Sequence, residues 1–517
     1  MTLAPAPEVS AEARERGLQK MIVEAGFSNA CAAVTTGVIL TAFALYLKAS
    51  NFAIGLLAAA PFLMQVLQAP TVLLIERLRA RKRIAVWASV TGRTALGLMA
   101  VLAVIGPSAA TVSTLLALQF VYCAMGAVGG CAWNAWIKDL VPEHRLGAVF
   151  ARRTTYATAV SLAAGLVAAF TLDRFGSGPM QAWTFAGLYA FGFVFGQISV
   201  AVVARIPEPG MPPPGETIRL LPLLRAPLKD RNFRRLIAFL ASWQFAVNLA
   251  TPFFTVFFVR QLGFSMTFVM GLSVLTQVAN LVALRSWGLL SDRFTNKSVL
   301  SVAAPVYIVC IAGMILASQL TDRTMIGVYL VGLHLLMGLA VAGVTLTSAN
   351  IALKLSPTGS ATAYIATNAL ITNLAAGSAP ILGGLFADFF AARRLEVVLR
   401  WTSPDGVLAI SPFRLSNWDF YFLIAAALGL YALHRLSLVR EKGEIDRRAM
   451  VTEVMLQARR SVRNLSPVAG LKMLGEFPAS LLRDGRARER LLRMRARRDF
   501  NPSIAGAAPP SRPRASP

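Results

Sequence analysis

Apolar runs of about twenty residues, separated by short polar or charged turns, recur along the whole chain. A helix needs about twenty mostly apolar residues to cross roughly 30 Å of hydrocarbon, because each backbone N–H and C=O must be satisfied within the segment. Twelve runs meet that length. In the first half they are Met21 to Leu47, Phe52 to Ile75, Ile84 to Ile105, Val112 to Ile137, Thr155 to Leu172 and Trp183 to Ala204. In the second half they are Leu236 to Val259, Phe268 to Trp287, Val299 to Leu320, Met325 to Ile351, Ala363 to Phe386 and Trp418 to Leu438. Most connections are short, which makes sequential helices antiparallel neighbours.

Composition agrees with a bilayer. The 517 residues are 56% hydrophobic and 15% charged, with a mean hydropathy of +0.59, outside the range of soluble domains. The expected class is an all-α, polytopic membrane protein. Cys31, Cys123, Cys131 and Cys310 all fall inside expected spans, where small packing thiols are the simplest reading. No metal-ligand spacing and no cofactor motif is present. No nucleophile, base and orienting residue can be assembled either, so an enzyme is not expected.

Charge sets the orientation. Lys and Arg flanking membrane helices stay cytoplasmic, and the basic loops are Arg77 to Arg83, Lys138 to Arg153 and Arg205 to Arg235. The other side holds Lys48, Arg174, Arg260 and Arg323 singly, with one cluster (Arg393, Arg394, Arg400, Arg414) in the last connection. Both termini are therefore expected in the cytoplasm, in a plasma membrane of the bacterial inner-membrane kind. The chain divides into a cytoplasmic N-terminus (1–20), a six-helix half (21–204), a cytoplasmic linker (205–235), a second six-helix half (236–438) and a basic tail (439–517). The first twenty residues mix Glu8, Glu12 and Glu15 with Arg14, Arg16 and Lys20 and do not read as a cleaved signal. Much of the net charge of +26 sits in the tail, whose expected partner is anionic lipid at about 1 kcal/mol per nearby Lys or Arg, and not nucleic acid. Within it Met450, Val451, Val454, Met455 and Val462 form a helical stripe suited to the inner leaflet, and "AGAAPPSRPRASP" is expected to be disordered.

The halves repeat. A shift of 216 lays "GLLSDRFTNK", Gly288 to Lys297, on "VLLIERLRAR", Val72 to Arg81. Asp292 then meets Glu76, Arg293 meets Arg77, and Lys297 meets Arg81. The same shift pairs "FVMGL" with "FAIGL", and a shift of 215 pairs Asp388 with Asp173 and Pro357 with Pro142. Two parallel six-helix halves related about the membrane normal are a transporter plan. An acid in that loop faces the positive end of a neighbouring helix while its bases pair with acids or lipid phosphate, a latch between halves.

This loop resembles the signature of the major facilitator superfamily, roughly G-x-L-x-D-R-x-G-R-K. The second copy matches at Gly288, Leu290, Asp292, Arg293 and Lys297. The first copy keeps Arg77 and Arg81 but has Glu76 for the acid and Arg79 for the second glycine. "WNAWIKDLVPEHRLGAVFARR", Trp133 to Arg153, resembles the junction between the fourth and fifth helices in a bacterial branch of that family. Here Trp133 and Trp136 are expected at the interface, Pro142 ends the helix, and Lys138, Asp139, Glu143, Arg145, Arg152 and Arg153 form a charge network.

The resemblance implies a cavity lined by the first, fourth, seventh and tenth helices. Candidate solute contacts there are Asn29, Gln119, Tyr122, Gln244, Asn248 and His334, with Glu24 as an ionisable group about one turn from the cytoplasmic end. Arg93, in the middle of the third helix, costs about 2.5 to 3.5 kcal/mol in hydrocarbon and must face the interior. It either ties helices together or meets solute. His334 either packs or carries protons. "GSAPILGG", Gly377 to Gly384, reads as close helix packing. The expected function is secondary active or facilitative transport of a small solute, proton-linked or not, by rocking of the two halves. Export of drugs or amphipathic molecules is the alternative that Phe245, Phe253, Phe254, Phe257 and Phe258 suit, and a receptor or scaffold signalling through the basic tail is a third.

Overall fold

The computed structural model describes residues 4–6, 9–211, 220–357, 361–403 and 406–441. The chain divides into units 1–447 and 448–517. The second, with the tail stripe and most of the tail's basic residues, lies outside the described residues.

Among the described residues, twelve helical segments are long and apolar enough to cross a membrane. They are α1 (Ala11–Tyr46), α2 (Asn51–Leu78), α3 (Arg81–Ile105), α4 (Ala109–Leu140), α5 (Leu146–Phe175) and α6 (Met180–Val203), then α7 (Arg231–Gln261), α8 (Met266–Asp292), α9 (Asn296–Gln319), α10 (Arg323–Lys354), α11 (Ala361–Phe390) and α12 (Trp418–Ser437). A linker helix, Leu220–Lys229, precedes α7 and lies along α11, where Thr367 Oγ1 donates to the Leu224 carbonyl at 3.1 Å. Strands β1 (Arg394–Ser403) and β2 (Gly406–Ser416) form an antiparallel hairpin between α11 and α12. The face where α1 begins and α12 ends is termed the terminal face, and the opposite one the hairpin face.

Several expected boundaries move. Helix α1 begins at Ala11, not Met21, because Ser10 caps it by accepting from the Ala13 N–H at 3.2 Å. Helix α5 begins at Leu146 instead of Thr155. The linker holds a helix of its own, and α7 starts at Arg231 under an Asp230 cap that takes the Asn232 N–H at 2.8 Å. The last connection, which carries the basic cluster, holds the β-hairpin. Charged helical extensions and edge strands lack the apolar run on which span reading depends.

Three spans are interrupted. α1 breaks at Thr36 and Gly37, the latter at φ +59, a left-handed conformation open to glycine. α2 passes through a 3-10 turn, Met64–Leu67, just after Pro61. α7 gives way after Ala250 to a 3-10 turn (Thr251–Phe253), one α-turn and a π-turn (Phe257–Gln261), starting beside Pro252, which has no N–H to continue the ladder.

Each half is assembled alike. In the first, α1 packs on α5 and α6, and α3 on α4 and α6. In the second, α7 packs on α11 and α12, and α9 on α10 and α12. The halves join where α2 meets α11 and α5 meets α8. Those junctions concentrate towards the hairpin face, while the last part of α2, Gln68–Leu78, packs on α4 of its own half.

Candidate functional site

At the hairpin face the halves are clasped by two acids in register. Asp388, at the end of α11, accepts from the Asn51 N–H at 3.2 Å, the Asn51 side-chain amide at 2.8 Å and the Phe52 N–H at 3.0 Å, at the start of α2. Asp173, near the end of α5, accepts from the N–H groups of Met266 at 2.8 Å and Thr267 at 2.6 Å, at the start of α8. Each carboxylate satisfies orphan donors of the first turn and sits at the positive end of that helix. Below the first clasp α2 and α11 approach closely through glycine: a Cβ on Gly55 would overlap the Pro380 carbonyl oxygen, and one on Gly384 would stand 2.6 Å from Phe52 Cα.

At the terminal face the repeated loops are fastened by residues that follow the sixth helix of each half. Arg81 is 2% exposed. Its guanidinium binds Asp139, the Ala135 carbonyl at 3.1 Å, the Pro209 carbonyl at 2.9 Å and Glu208 at 3.3 Å. Glu208 also caps α3, accepting from the Arg81 and Lys82 N–H groups at 2.8 and 3.1 Å. In the second half Glu441, just after α12, caps α9 through the Lys297 N–H at 2.8 Å and holds the Asn296 amide at 3.1 Å and Lys354 Nζ at 2.8 Å. In both halves, therefore, a glutamate beyond the sixth helix fastens the start of the third helix. The acids expected to latch, Glu76 and Asp292, are exposed, as is Arg77; Gly288 is partly buried, facing Leu346 of α10, and Arg293 adds one helical residue after α8. Arg79, which stands where the family signature has its second glycine, takes the left-handed conformation such a residue favours, φ 50, and donates to the Met211 carbonyl at 3.1 Å.

Between the halves lies a cavity of about 530 Å³. It is lined by the α1 break (Thr36, Gly37), the α7 break (Thr251, Pro252), apolar side chains including Leu40, Ile54, Leu57, Phe254, Phe258 and Val269, and the polar groups Gln119, Tyr122, Ser273 and His334. His334 Nδ1 donates to the Leu330 carbonyl at 2.9 Å, which leaves Nε2 as its other polar atom, and the ring stands 5.5 Å from Phe258 and 6.4 Å from Phe254. Among the described residues no Asp or Glu lines this cavity. The broken helices are a contribution the span reading missed. Their signal is a Thr-Gly or Thr-Pro pair in mid-span, where the turn frees backbone groups that only a cavity or side chains satisfy.

A second space of about 380 Å³ lies within the first half and shares Pro61, Tyr122 and Cys123 with the first. Glu24, Arg93 and Arg153 line it. Glu24, expected near a hydrated helix end, is 5% exposed because α1 starts earlier. Its two oxygens bind Arg153 at 3.2 Å and Ser199 at 3.0 Å. The charge network of the α4–α5 junction is also partnered outward from itself: Arg153 with Glu24, Arg145 with Glu15 at 2.7 Å, and Asp139 with Arg81. Trp136 is fully buried, not interfacial, and donates to the Pro207 carbonyl at 2.9 Å. Asn29, Gln244 and Asn248 line neither cavity; Asn29 donates to the Ala25 carbonyl and Asn248 to the Gln244 carbonyl, both at 2.8 Å.

Two broken helices facing each other across a cavity between matched six-helix halves define a polytopic carrier fold. Residues 25–380 match the sequence profile of the Major Facilitator Superfamily, and the chain belongs to that family. No curated protein sequence matches it. Solved structures share the fold at low identity. The nucleoside transporter NupG has a TM-score of 0.61 at 13% identity, over 82% of this chain and 98% of its own. A bacterial homologue of the iron transporter ferroportin, in an inward-facing state, has 0.59 at 13%, over 82% and 98%. A D-xylose-proton symporter has 0.58 at 14%, over 84% and 99%.

Proposed function

We propose that this member of the family is a secondary active or facilitative carrier that moves a small amphipathic solute by rocking its two halves about the inter-half cavity. The observation that carries the reading is the cavity itself, bounded by both broken helices, with the hairpin face clasped and the α2 end at the terminal face turned to its own half. With the terminal face in the cytoplasm, as the basic loops favour, this is the inward-open state. The apolar lining with a few convergent polar groups suits an amphipathic solute more than a sugar. On this reading Asp292 and Glu76, exposed in this state, are the acids that close the terminal face in the opposite one.

Rocking requires the clasp to open. A carboxylate's charge at a helix start is worth about 0.3 to 2 kcal/mol, so Asp173→Asn and Asp388→Asn each favour opening of the hairpin face, and the double variant shifts the balance about threefold or more. Cys123 lines the cavity and serves as a reporter once Cys31, Cys131 and Cys310 are replaced by alanine. A membrane-impermeant maleimide is then applied from each side in right-side-out and inside-out vesicles. The expected result is labelling from both sides, with labelling from the hairpin side raised in the Asp variants. Labelling from one side only, in wild type and variants alike, rules out alternating access.

A further inference from the structure

We propose that the space within the first half is an anion site anchored by Arg93, and that the solute carried is an amphipathic organic anion. Its carboxylate or phosphate group meets Arg93, and its apolar body lies in the adjoining cavity between the halves. This rests on the carrier reading above and names the solute class.

The argument begins with charge. Arg93 sits at the middle of α3 and lines the space with Glu24, Ser28, Tyr122, Trp133 and Arg153. Two guanidiniums share that lining with one carboxylate, and the carboxylate is already engaged. Glu24 binds Arg153 and Ser199, and Arg153 lies over the Trp133 ring at 5.8 Å. Among the described residues Arg93 has only neutral partners: its Nη1 donates to the Gly196 carbonyl at 2.8 Å and its Nη2 to Ser28 Oγ at 3.0 Å. Among the described residues no carboxylate comes within ion-pair distance of it. A guanidinium offers five N–H donors and does not deprotonate in proteins. Arg93 therefore carries a full positive charge at mid-membrane depth, with three donors unspent beside an open space. An uncompensated charge there is expensive, and an intramembrane ionisable group facing a cavity marks a ligand path.

The backbone around Arg93 is cleared for this placement. A Cβ on Gly196 would stand 2.8 Å from Arg93 Cδ, so glycine there leaves room for the arm to lie across α6 with its head towards Ser28. The planar fork so held matches a carboxylate or phosphate through paired hydrogen bonds. The two spaces meet at Pro61, Tyr122 and Cys123. A solute reaching from Arg93 through that junction meets Leu40, Ile54, Leu57 and the Phe254–Phe258 pair, an apolar environment. A charged head with an apolar body fits both ends; a sugar or a cation fits neither.

The rival account makes Arg93 only a strut between α3, α1 and α6, and the two differ in an observable. The full-length protein is purified in a non-ionic detergent. Its unfolding temperature is followed with phenylacetate, phenylphosphonate, phenylacetamide and phenethylamine at equal ionic strength. Binding to the folded state raises the unfolding temperature with the logarithm of ligand concentration. The expected result is a rising response to one or both anions, with little to the amide or the amine. Which anion acts identifies the head group. Arg93→Lys keeps the charge and loses the fork, so its response should need about tenfold more anion. Arg93→Gln should abolish it, and if that variant does not fold, the wild-type and lysine results still decide. Equal responses to acid and amide, no response to either anion, or a full anion response in Arg93→Gln overturns the proposal. Failure here with two-sided labelling of Cys123 removes only the solute class. One-sided labelling with intact anion selectivity removes transport and leaves an anion site.

Discussion

Glu208→Ala is expected to lower stability by about 3 to 5 kcal/mol, the range for breaking a buried ion pair from one side. The carboxylate is fully buried and serves two purposes, pairing with Arg81 and capping the start of α3 through two backbone N–H groups. Its loss leaves a buried guanidinium with Asp139 as its remaining acid, and strips two orphan helix donors of their acceptor. Glu208→Gln keeps the shape and part of the hydrogen bonding and should cost less. Glu441→Ala, the matching change in the second half, should also cost less, because its partner Lys354 has a side chain 52% exposed that water can solvate. Unfolding temperature and expression in a common detergent test the order. A Glu208→Ala protein as stable as Glu441→Ala refutes this account of the junction.

Gly55→Ala and Gly384→Ala should have a different effect, on state more than on stability. A methyl group at either position collides with backbone of the opposite half, at the Pro380 carbonyl and at Phe52 Cα, and backbone cannot rotate away as a side chain does. Overpacking of this kind costs about 1 to 3 kcal/mol. The cost falls only on the arrangement in which α2 and α11 touch, so the open hairpin face is favoured by about tenfold or more. Labelling of Cys123 from the hairpin side should rise accordingly while the unfolding temperature changes little. Gly271 occupies the same register in the second half but has open space around its Cβ position, so Gly271→Ala is the control and should leave labelling unchanged. Gly55→Ala behaving like Gly271→Ala would show that the close approach does not govern closure.

The candidate site was only partly legible. Gln119, Tyr122 and His334 line the inter-half cavity and Glu24 and Arg93 the adjoining space, whereas Gln244 lines neither and Asn29 and Asn248 turn to backbone carbonyls of their own helices. Depth along a span can be counted from its ends, but rotation about the axis cannot when the span is apolar all round. Glu24 was misjudged in depth for the complementary reason: the charged start of α1 is helical without being apolar. Asp173 and Asp388 were visible as a matched pair but not as helix caps, because a cap is defined by what the carboxylate faces.

The sequence by itself determined the number of spans, their membership of two repeated halves, the matched positions of Arg81 and Lys297, and the family. These follow from the length of apolar runs and from similarity between two stretches of one chain, both local or linear properties. The tertiary structure alone decided which partner each charged group takes and which face is closed. Asp388 reaches a helix start 337 residues away, Arg81 reaches a glutamate 127 residues away, and among the described residues Arg93 is left with neutral partners. Such pairings depend on how rigid helices are rotated and stacked. Many stackings satisfy the same apolar pattern, and the polar contacts select among them.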